Sequence, residues 1–124
     1  MILVDSVGWL EFFTDGPLAR SYEKHLHSLS EIIVPTIVLY EVYKKMKLGK
    51  GEKEAALATA QMQSGHVIHL TEGLSLSAAE VSLDHQLSMA DAIIYATALQ
   101  EKVKLVTSDK DLKDLPHVVY YPKP

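Results

Sequence analysis

Four acidic residues interrupt otherwise apolar stretches of the chain, and their side chains are the best suited to chemistry. They are Asp5, Glu41, Asp91 and Asp109. Asp5 closes the apolar run MILVD, and Asp91 lies inside SMADAIIYATAL, which has the composition of a buried helix. Burying a carboxylate is costly unless something pairs with it. Each acid therefore needs a partner, either from the local structure or from a ligand.

Two of these acids have a plausible local partner. Ser88 followed three residues later by Asp91 matches a capping box, in which the serine caps a helix and the acid bonds back to the cap amide. Asp5 could cap a helix that starts near Ser6. These structural roles remain open beside a functional one.

The other two acids also have local alternatives. Glu41 shares a helix face with apolar residues, although Lys44 and Lys45 are placed to form surface pairs with it. Asp109 and Asp111, in TSDKDL, could cap a short helical turn. None of the four acids is decisive alone.

The rest of the sequence predicts the elements that must position these acids. Five short runs rich in branched residues are typical of β-strands: 1–5, 31–34, 66–70, 104–107 and 117–121. Helical spacing predicts helices between them: 6–13, 16–29, 36–47 (ending at Gly49), 51–64, 71–87 and 88–102. This alternation predicts one α/β domain, residues 1–124, built on a parallel sheet with right-handed crossovers.

In such a fold the strand carboxyl ends and the helix N-termini share one edge, where ligands bind. All four acids fall on that edge, because Asp5 and Asp109 follow strands while Asp91 and Glu41 lie in the first two turns of helices. Carboxylates brought together repel each other, and a divalent cation relieves that repulsion. An all-oxygen site favours Mg²⁺ or Mn²⁺, and such ions suit phosphodiester hydrolysis.

The composition excludes several other classes of protein. The 124 residues include no cysteine, so disulfide scaffolds and zinc knuckles are excluded. Hydrophobic residues make up 48% of the chain, as in ordinary globular proteins. No apolar run approaches the ~20 residues needed to span a bilayer. We expect a soluble, cytoplasmic protein that does not bind membranes.

The net charge of −4 does not indicate a nucleic-acid-binding domain, but the lysines are clustered. KKMKLGKGEK carries five of them just beyond Glu41, so Lys44, Lys45 and Lys47 could contact RNA phosphates at the rim of an acidic pocket. Charge compensation at a helix end is an equally good explanation.

The histidine pairs do not indicate a metal site. His25 and His27 lie two residues apart on a predicted helix, where such positions do not face each other. His66 and His69 bracket a predicted strand and would point to opposite faces. Nor does GKGE match a phosphate-binding loop, because it lacks the spacing G-x-x-x-x-G-K-[ST] and no predicted strand precedes it.

Taken together, these motifs resemble the PIN-domain family, and within it the VapC-type toxins of toxin–antitoxin pairs. MILVDSVGWLEFF is similar to the family's opening strand and helix with its first acid, and PTIVLYEVYK and SMADAIIYATAL are similar to the segments that carry the second and third. LVTSDKDL resembles the T-x-D segment, with Thr107 and Asp109. The resemblance covers essentially the whole chain.

The resemblance implies a three-layer α/β/α fold with a five-stranded parallel sheet and a Mg²⁺- or Mn²⁺-dependent endoribonuclease site. It also implies homodimerisation and a small antitoxin that occludes the site. The metal-binding and catalytic residues would be Asp5, Glu41, Asp91 and Asp109. Ser6 and Thr107 would orient carboxylates or waters, and Asp111 could support Asp109 or exchange roles with it.

Two other functions remain open. A PIN fold could act as a non-catalytic interaction module for protein or RNA, although the presence of all four acids favours catalysis. A receiver-like phospho-acceptor domain also gathers acids at the carboxyl edge of its sheet. It needs an acceptor aspartate after the middle strand, where this chain has Thr71 and Glu72.

Overall fold

A parallel sheet of five strands lies at the centre of the structure, a computed structural model that describes residues 1–124. The strands are β1 (Ile2–Val4), β2 (Ile32–Pro35), β3 (His66–Ile68), β4 (Lys104–Thr107) and β5 (Val118–Tyr120). Their order is β3-β2-β1-β4-β5, and every neighbouring pair is parallel. The predicted α/β fold with five parallel strands is confirmed.

Six α-helices flank this sheet. They are α1 (Ser6–Thr14), α2 (Ala19–Leu26), α3 (Thr36–Lys50), α4 (Glu52–Met62), α5 (Glu72–His85) and α6 (Met89–Glu101). Two short 3-10 turns, Leu29–Glu31 and Lys110–Leu112, precede β2 and follow β4. None of the helices combines the length and apolar character needed to cross a membrane.

The inner strands are apolar because the sheet is covered on both faces. All four residues of β2 are buried. In β1, Leu3 and Val4 have no exposed surface, and Leu105 in β4 has none either. Continuous burial of this kind, rather than alternation, is typical of parallel strands in α/β proteins.

Helix α1 packs unusually closely against its neighbours at Gly8. A Cβ atom at this position would lie 2.5 Å from the ring of Tyr22 in α2 and 2.7 Å from Cγ1 of Val4 in β1. Only a residue without a side chain permits this approach. The close packing fixes the start of α1, and with it the residue that precedes the helix, Asp5.

Several predicted boundaries are wrong by a few residues. Helix α3 continues through Gly49, where the backbone stays helical, and ends at Lys50; Gly51, which follows it, has a φ of 96° that glycine adopts at little cost. The helix predicted over 16–29 is limited to Ala19–Leu26. The third strand ends at Ile68 rather than at residue 70.

The strand order determines which acids can meet. Strand β1 pairs with β2 on one side and β4 on the other, so the segments that follow β1 and β4 emerge next to each other. Helix α3 starts directly after β2. Residues from the beginning and the end of the chain therefore meet at one edge of the sheet.

Candidate metal centre

An open cavity of about 450 Å³ lies at the carboxyl edge of β1 and β4. All four acids predicted from the sequence line it. Its polar lining comprises Asp5, Ser6, Glu41, Lys45, Asp91, Ser108, Asp109, Lys110, Tyr120 and Lys123. The structure thus brings the four acids together, while their role as metal ligands stays a prediction.

Asp5 is both a helix cap and a wall of the cavity. Its Oδ1 accepts a hydrogen bond of 2.7 Å from the backbone N–H of Ser6, which begins α1. Its Oδ2 accepts one of 2.6 Å from the hydroxyl of Thr107. Burial raises the pKa of this carboxyl, while the bonds from Thr107 and Ser6 oppose the rise. The capping role and the site role therefore coincide in one side chain.

Thr107 connects Asp5 to the segment that carries Asp109. Its hydroxyl is fully buried, donates to Asp5, and accepts a hydrogen bond of 3.0 Å from the backbone N–H of Asp109. This one hydroxyl therefore joins two parts of the cavity wall, as a donor to Asp5 and as an acceptor from Asp109. This arrangement agrees with the orienting role that the sequence predicts for Thr107.

Three carboxylates form the tightest acidic group in the molecule. Ligand atoms of Asp91, Asp109 and Asp111 all lie within 4.8 Å of one another. Asp109 also caps the turn after β4, since its Oδ1 accepts a hydrogen bond of 2.9 Å from the N–H of Asp111. Asp111 is exposed and does not line the cavity, so it reaches the group from outside.

Asp91 is partly buried and lies close to other carboxylates. Burial and the nearby charge of Asp109 raise the pKa of Asp91 to about 7. The capping box left open as an alternative for this position is absent: Ser88 occupies the cap position of α6, but its side chain makes no capping hydrogen bond. Asp91 therefore lacks the local partner that would have explained it without a ligand.

Glu41 presents a buried oxygen with no partner. Its Oε1 is inaccessible to solvent and accepts no hydrogen bond. Burial raises the pKa of the Glu41 carboxyl, and the charge of Asp5 adds to the rise, while the nearby Ser6 side chain and the charge of Lys45 oppose it. A buried, unsatisfied carboxylate oxygen is rare in folded proteins and requires an explanation.

The residues of this cavity fit a divalent cation. The acids supply only oxygen ligands, repel one another, and include the orphaned Oε1 of Glu41. Mg²⁺ and Mn²⁺ prefer such ligands, and either ion would compensate the charge that raises the pKa of Asp91.

The three lysines predicted to contact RNA lie on different parts of the surface. Lys45 lines the cavity, whereas Lys44 and Lys47 lie outside it. The Nζ atom of Lys44 lies 5.6 Å from the ring centre of Tyr40, and that of Lys47 lies 5.9 Å from the ring centre of Tyr43. The neighbouring face of α3 is therefore basic and aromatic, and separate from the acids.

Sequence reasoning missed several residues of the cavity. Lys110, Tyr120, Lys123 and Ser108 all line it. Ser108 and Lys110 flank Asp109, so the T-x-D segment was a signal for them. Tyr120 and Lys123 follow from no local pattern, because only the pairing of β5 with β4 brings them there.

A buried hydrogen bond ties α2 to the same segment. The hydroxyls of Tyr22 and Ser108 are 2.5 Å apart, and burial raises the pKa of Tyr22 above its ordinary value. Thr107 and Ser108, the two residues before Asp109, are therefore both anchored by buried hydroxyl contacts.

Comparisons with known proteins found a family match and several solved structures of similar fold. A family model described as "PIN domain" matches residues 2–118. A search of curated proteins gave no match. The family model covers the segments of all four cavity acids.

Solved structures share the fold throughout the chain. A toxin–antitoxin complex from Klebsiella pneumoniae has a TM-score of 0.84 at 22% identity, covering 99% of this chain and 100% of the other. VapC20 of Mycobacterium tuberculosis, described as a sarcin–ricin loop cleaving toxin, has a TM-score of 0.83 at 20% identity, covering 98% and 100%. VapBC2 from Rickettsia felis, bound to a promoter DNA fragment, has a TM-score of 0.76 at 18% identity, covering 98% of each chain.

Proposed function

The chain belongs to the PIN domain family, and we propose that it is a Mg²⁺- or Mn²⁺-dependent endoribonuclease, the toxin component of a toxin–antitoxin pair. Residues 1–124 act as one nuclease domain in the cytoplasm. The observation that carries the proposal is the single cavity lined by Asp5, Glu41, Asp91 and Asp109, with the Oε1 of Glu41 buried and unpartnered.

In this proposal the four acids hold the metal, directly or through water. When bound, the ion supplies the charge that activates a water molecule and stabilises negative charge on the RNA phosphate. Ser6 and Thr107 orient Asp5, which presents its carboxylate in one fixed direction. Orientation of this kind by neighbouring hydrogen bonds tunes metal ligands in proteins generally.

Asp91 and Asp109 form the more charged side of the site. Burial and the charge of Asp109 raise the pKa of Asp91, so metal binding and loss of a proton from Asp91 are coupled. Asp111 lies close enough to contribute a further carboxylate oxygen from the solvent side if an ion is bound. The cavity is open, so an extended RNA strand can reach these groups.

A small antitoxin that covers the cavity is the expected protein partner. The support is the similarity to a toxin–antitoxin complex and to VapBC2, whose chains match this one over nearly their full length. An acidic, partly desolvated cavity is a good target for a basic side chain of such a partner.

A second copy of this chain is the other expected partner. The surface of α5 and α6 carries large exposed apolar side chains, including Leu76, Leu83 and Met89, which are 67%, 76% and 74% exposed. We propose that these side chains contribute to an association surface, since contiguous exposed apolar patches mark such surfaces. Light scattering after size-exclusion chromatography tests this, with a dimer expected for the wild type and a monomer for Leu83→Glu.

The decisive test of the activity is cleavage of total bacterial RNA by the purified protein. We expect cleavage with Mn²⁺ or Mg²⁺, none with EDTA, and a loss on the order of 100-fold or more for Asp5→Asn and Asp91→Asn. The matched control is Asp84→Asn, which alters an exposed acid on α5. Wild-type rates in Asp91→Asn would refute the proposed site.

A further inference from the structure

Three lysines line the acidic cavity, and each comes from a different segment. Lys45 lies on α3, Lys110 lies in the turn after β4, and Lys123 follows β5. All three are exposed, so their ammonium groups remain hydrated and free to meet a ligand. The cavity therefore has an acidic interior and a basic rim.

The segment that carries Lys123 is held in place by several contacts. The backbone N–H of Tyr121 donates a hydrogen bond of 2.9 Å to the carbonyl oxygen of Thr107. The hydroxyl of Tyr121 lies 2.8 Å from Nε2 of His25, and its ring packs edge-to-face on Tyr22 with ring centres 5.3 Å apart. Anchoring of this kind fixes the path of the chain beside the end of β4.

Prolines restrict the residues around Lys123 further. Pro122 and Pro124 flank it, and a proline ring fixes its own φ and disfavours helical geometry in the residue before it. The two prolines therefore favour an extended backbone at Lys123. The flexible side chain reaches the cavity, where its positive charge lowers the pKa of Asp5 against the larger effect of burial.

An acidic metal site needs such cations to receive RNA. The four carboxylates repel the phosphates that flank the scissile bond, and one divalent ion compensates only part of that charge. Lysine binds phosphate as a mobile point charge, without requiring a fixed planar geometry. A basic rim over the acids is therefore suited to the phosphodiester backbone.

We propose that Lys123, with Lys45 and Lys110 on the same rim, forms a phosphate-binding subsite that holds the RNA backbone next to the cavity acids. This subsite rests on the proposed nuclease function, and names side chains that position its substrate. The ligand is an RNA phosphodiester, since the lysines border the acids at which the same backbone would be cut.

The proposal predicts opposite effects on RNA and on metal. Removing the charge of Lys123 weakens RNA binding, because a phosphate loses its partner. The same change leaves Mn²⁺ binding equal or tighter, because a cation near Asp5 is removed. A variant that merely disturbed the fold would weaken both.

The experiment compares Lys123→Gln and Lys123→Arg with Lys104→Gln, a control at the opposite end of β4. Fluorescence anisotropy of a short labelled single-stranded RNA, in an Asp91→Asn background that does not cleave it, measures RNA affinity. Mn²⁺ affinity is measured by electron paramagnetic resonance in the same single variants without that background. We expect Lys123→Gln to lose about threefold to tenfold in RNA affinity and about 0.7 in the slope of log affinity against log salt.

Cleavage kinetics complete the test. Lys123→Gln should raise KM while kcat stays within about twofold of the wild-type value, which is the signature of lost ground-state binding. Lys123→Arg should keep a KM close to that of the wild type. RNA binding by Lys123→Gln equal to that of Lys104→Gln overturns the subsite, whether or not cleavage occurs. Absence of both cleavage and Mn²⁺ binding in the wild type overturns the nuclease function instead, so the two failures are distinguishable.

Discussion

The hydroxyl of Thr107 donates a 2.6 Å hydrogen bond to Oδ2 of Asp5, although 102 positions separate the two residues. The bond is buried and joins the ends of β4 and β1, the two strands whose carboxyl termini form the cavity edge. Because Thr107 also accepts from the N–H of Asp109, it sets the relative positions of two of the four acids.

Replacing Thr107 with valine should destabilise the protein by about 1–3 kcal/mol, because a buried carboxylate oxygen and an amide each lose their partner. Valine preserves the shape of threonine, so the loss reports the hydroxyl. Thr107→Ser should retain most of the stability. Urea unfolding measures both variants, and equal midpoints for valine and serine would contradict the role assigned to this hydroxyl.

The affinity for Mn²⁺ should fall as the pH decreases from about 8 to about 6, because the pKa of Asp91 is raised to about 7 and ligands must lose their protons to bind metal. Below the pKa, one coupled proton weakens binding by up to about tenfold for each pH unit. Isothermal titration calorimetry at several pH values measures this. A flat profile in the wild type would show that Asp91 does not titrate with the metal.

Removing the charge of Asp91 should stabilise the metal-free protein at high pH. The folded pKa of about 7 lies above the ordinary value for aspartate, so the folded state holds the extra proton and its stability declines as pH rises through this interval. At about pH 8, Asp91→Asn should be more stable by about 1–2 kcal/mol, after allowance for solvent screening at this partly buried group.

Thermal unfolding without metal tests whether Asp91→Asn stabilises the protein at high pH. Asp84→Asn, which alters an exposed acid, is the control. At about pH 4 the variant and the wild type should unfold at similar temperatures, because the folded carboxyl is protonated there. Adding Mn²⁺ should raise the unfolding temperature of the wild type more than that of Asp91→Asn. A lower stability of the variant at high pH would contradict the repulsion inferred for this site.

Alanine at Gly8 should destabilise the protein by about 1–3 kcal/mol, because its Cβ would overlap the buried ring of Tyr22 and the side chain of Val4. Gly49→Ala is the matched control, since α3 has open space at that position. It should stabilise the protein by roughly 0.5–1 kcal/mol. Chemical denaturation distinguishes the two, and a neutral Gly8→Ala would show that α1 can shift outward.

The fold and the meeting of the four acids were predictable because both depend on topology. Apolar runs mark strands such as β2, and their alternation with helices requires a parallel sheet whose carboxyl ends share an edge. Once Asp5 and Asp109 follow strands, their convergence needs no side-chain detail. The capping box at Ser88, left open as an alternative, shows the converse: the local pattern matched, but the Ser88 side chain makes no capping hydrogen bond.

The basic rim was not predictable in the same way. Lys123 reaches the cavity because Tyr121 packs on α2, where His25 lies 96 positions earlier in the chain. No sequence pattern carries that contact. Lys44 and Lys47 illustrate the reverse error, because charge clustering along the sequence does not determine which face of α3 each residue occupies.

Strand order also determines when the acidic cavity can form during synthesis of the chain. Helix α3 and strand β1 leave the ribosome early, but β1 completes its pairing only when β4, some hundred residues later, becomes available. Asp91, Asp109 and the hydroxyl that orients Asp5 all belong to the late part of the chain. A partly translated chain thus contains Asp5 and Glu41 without a cavity, and the acid cluster is complete only after synthesis has passed Asp109 and β4 has paired with β1.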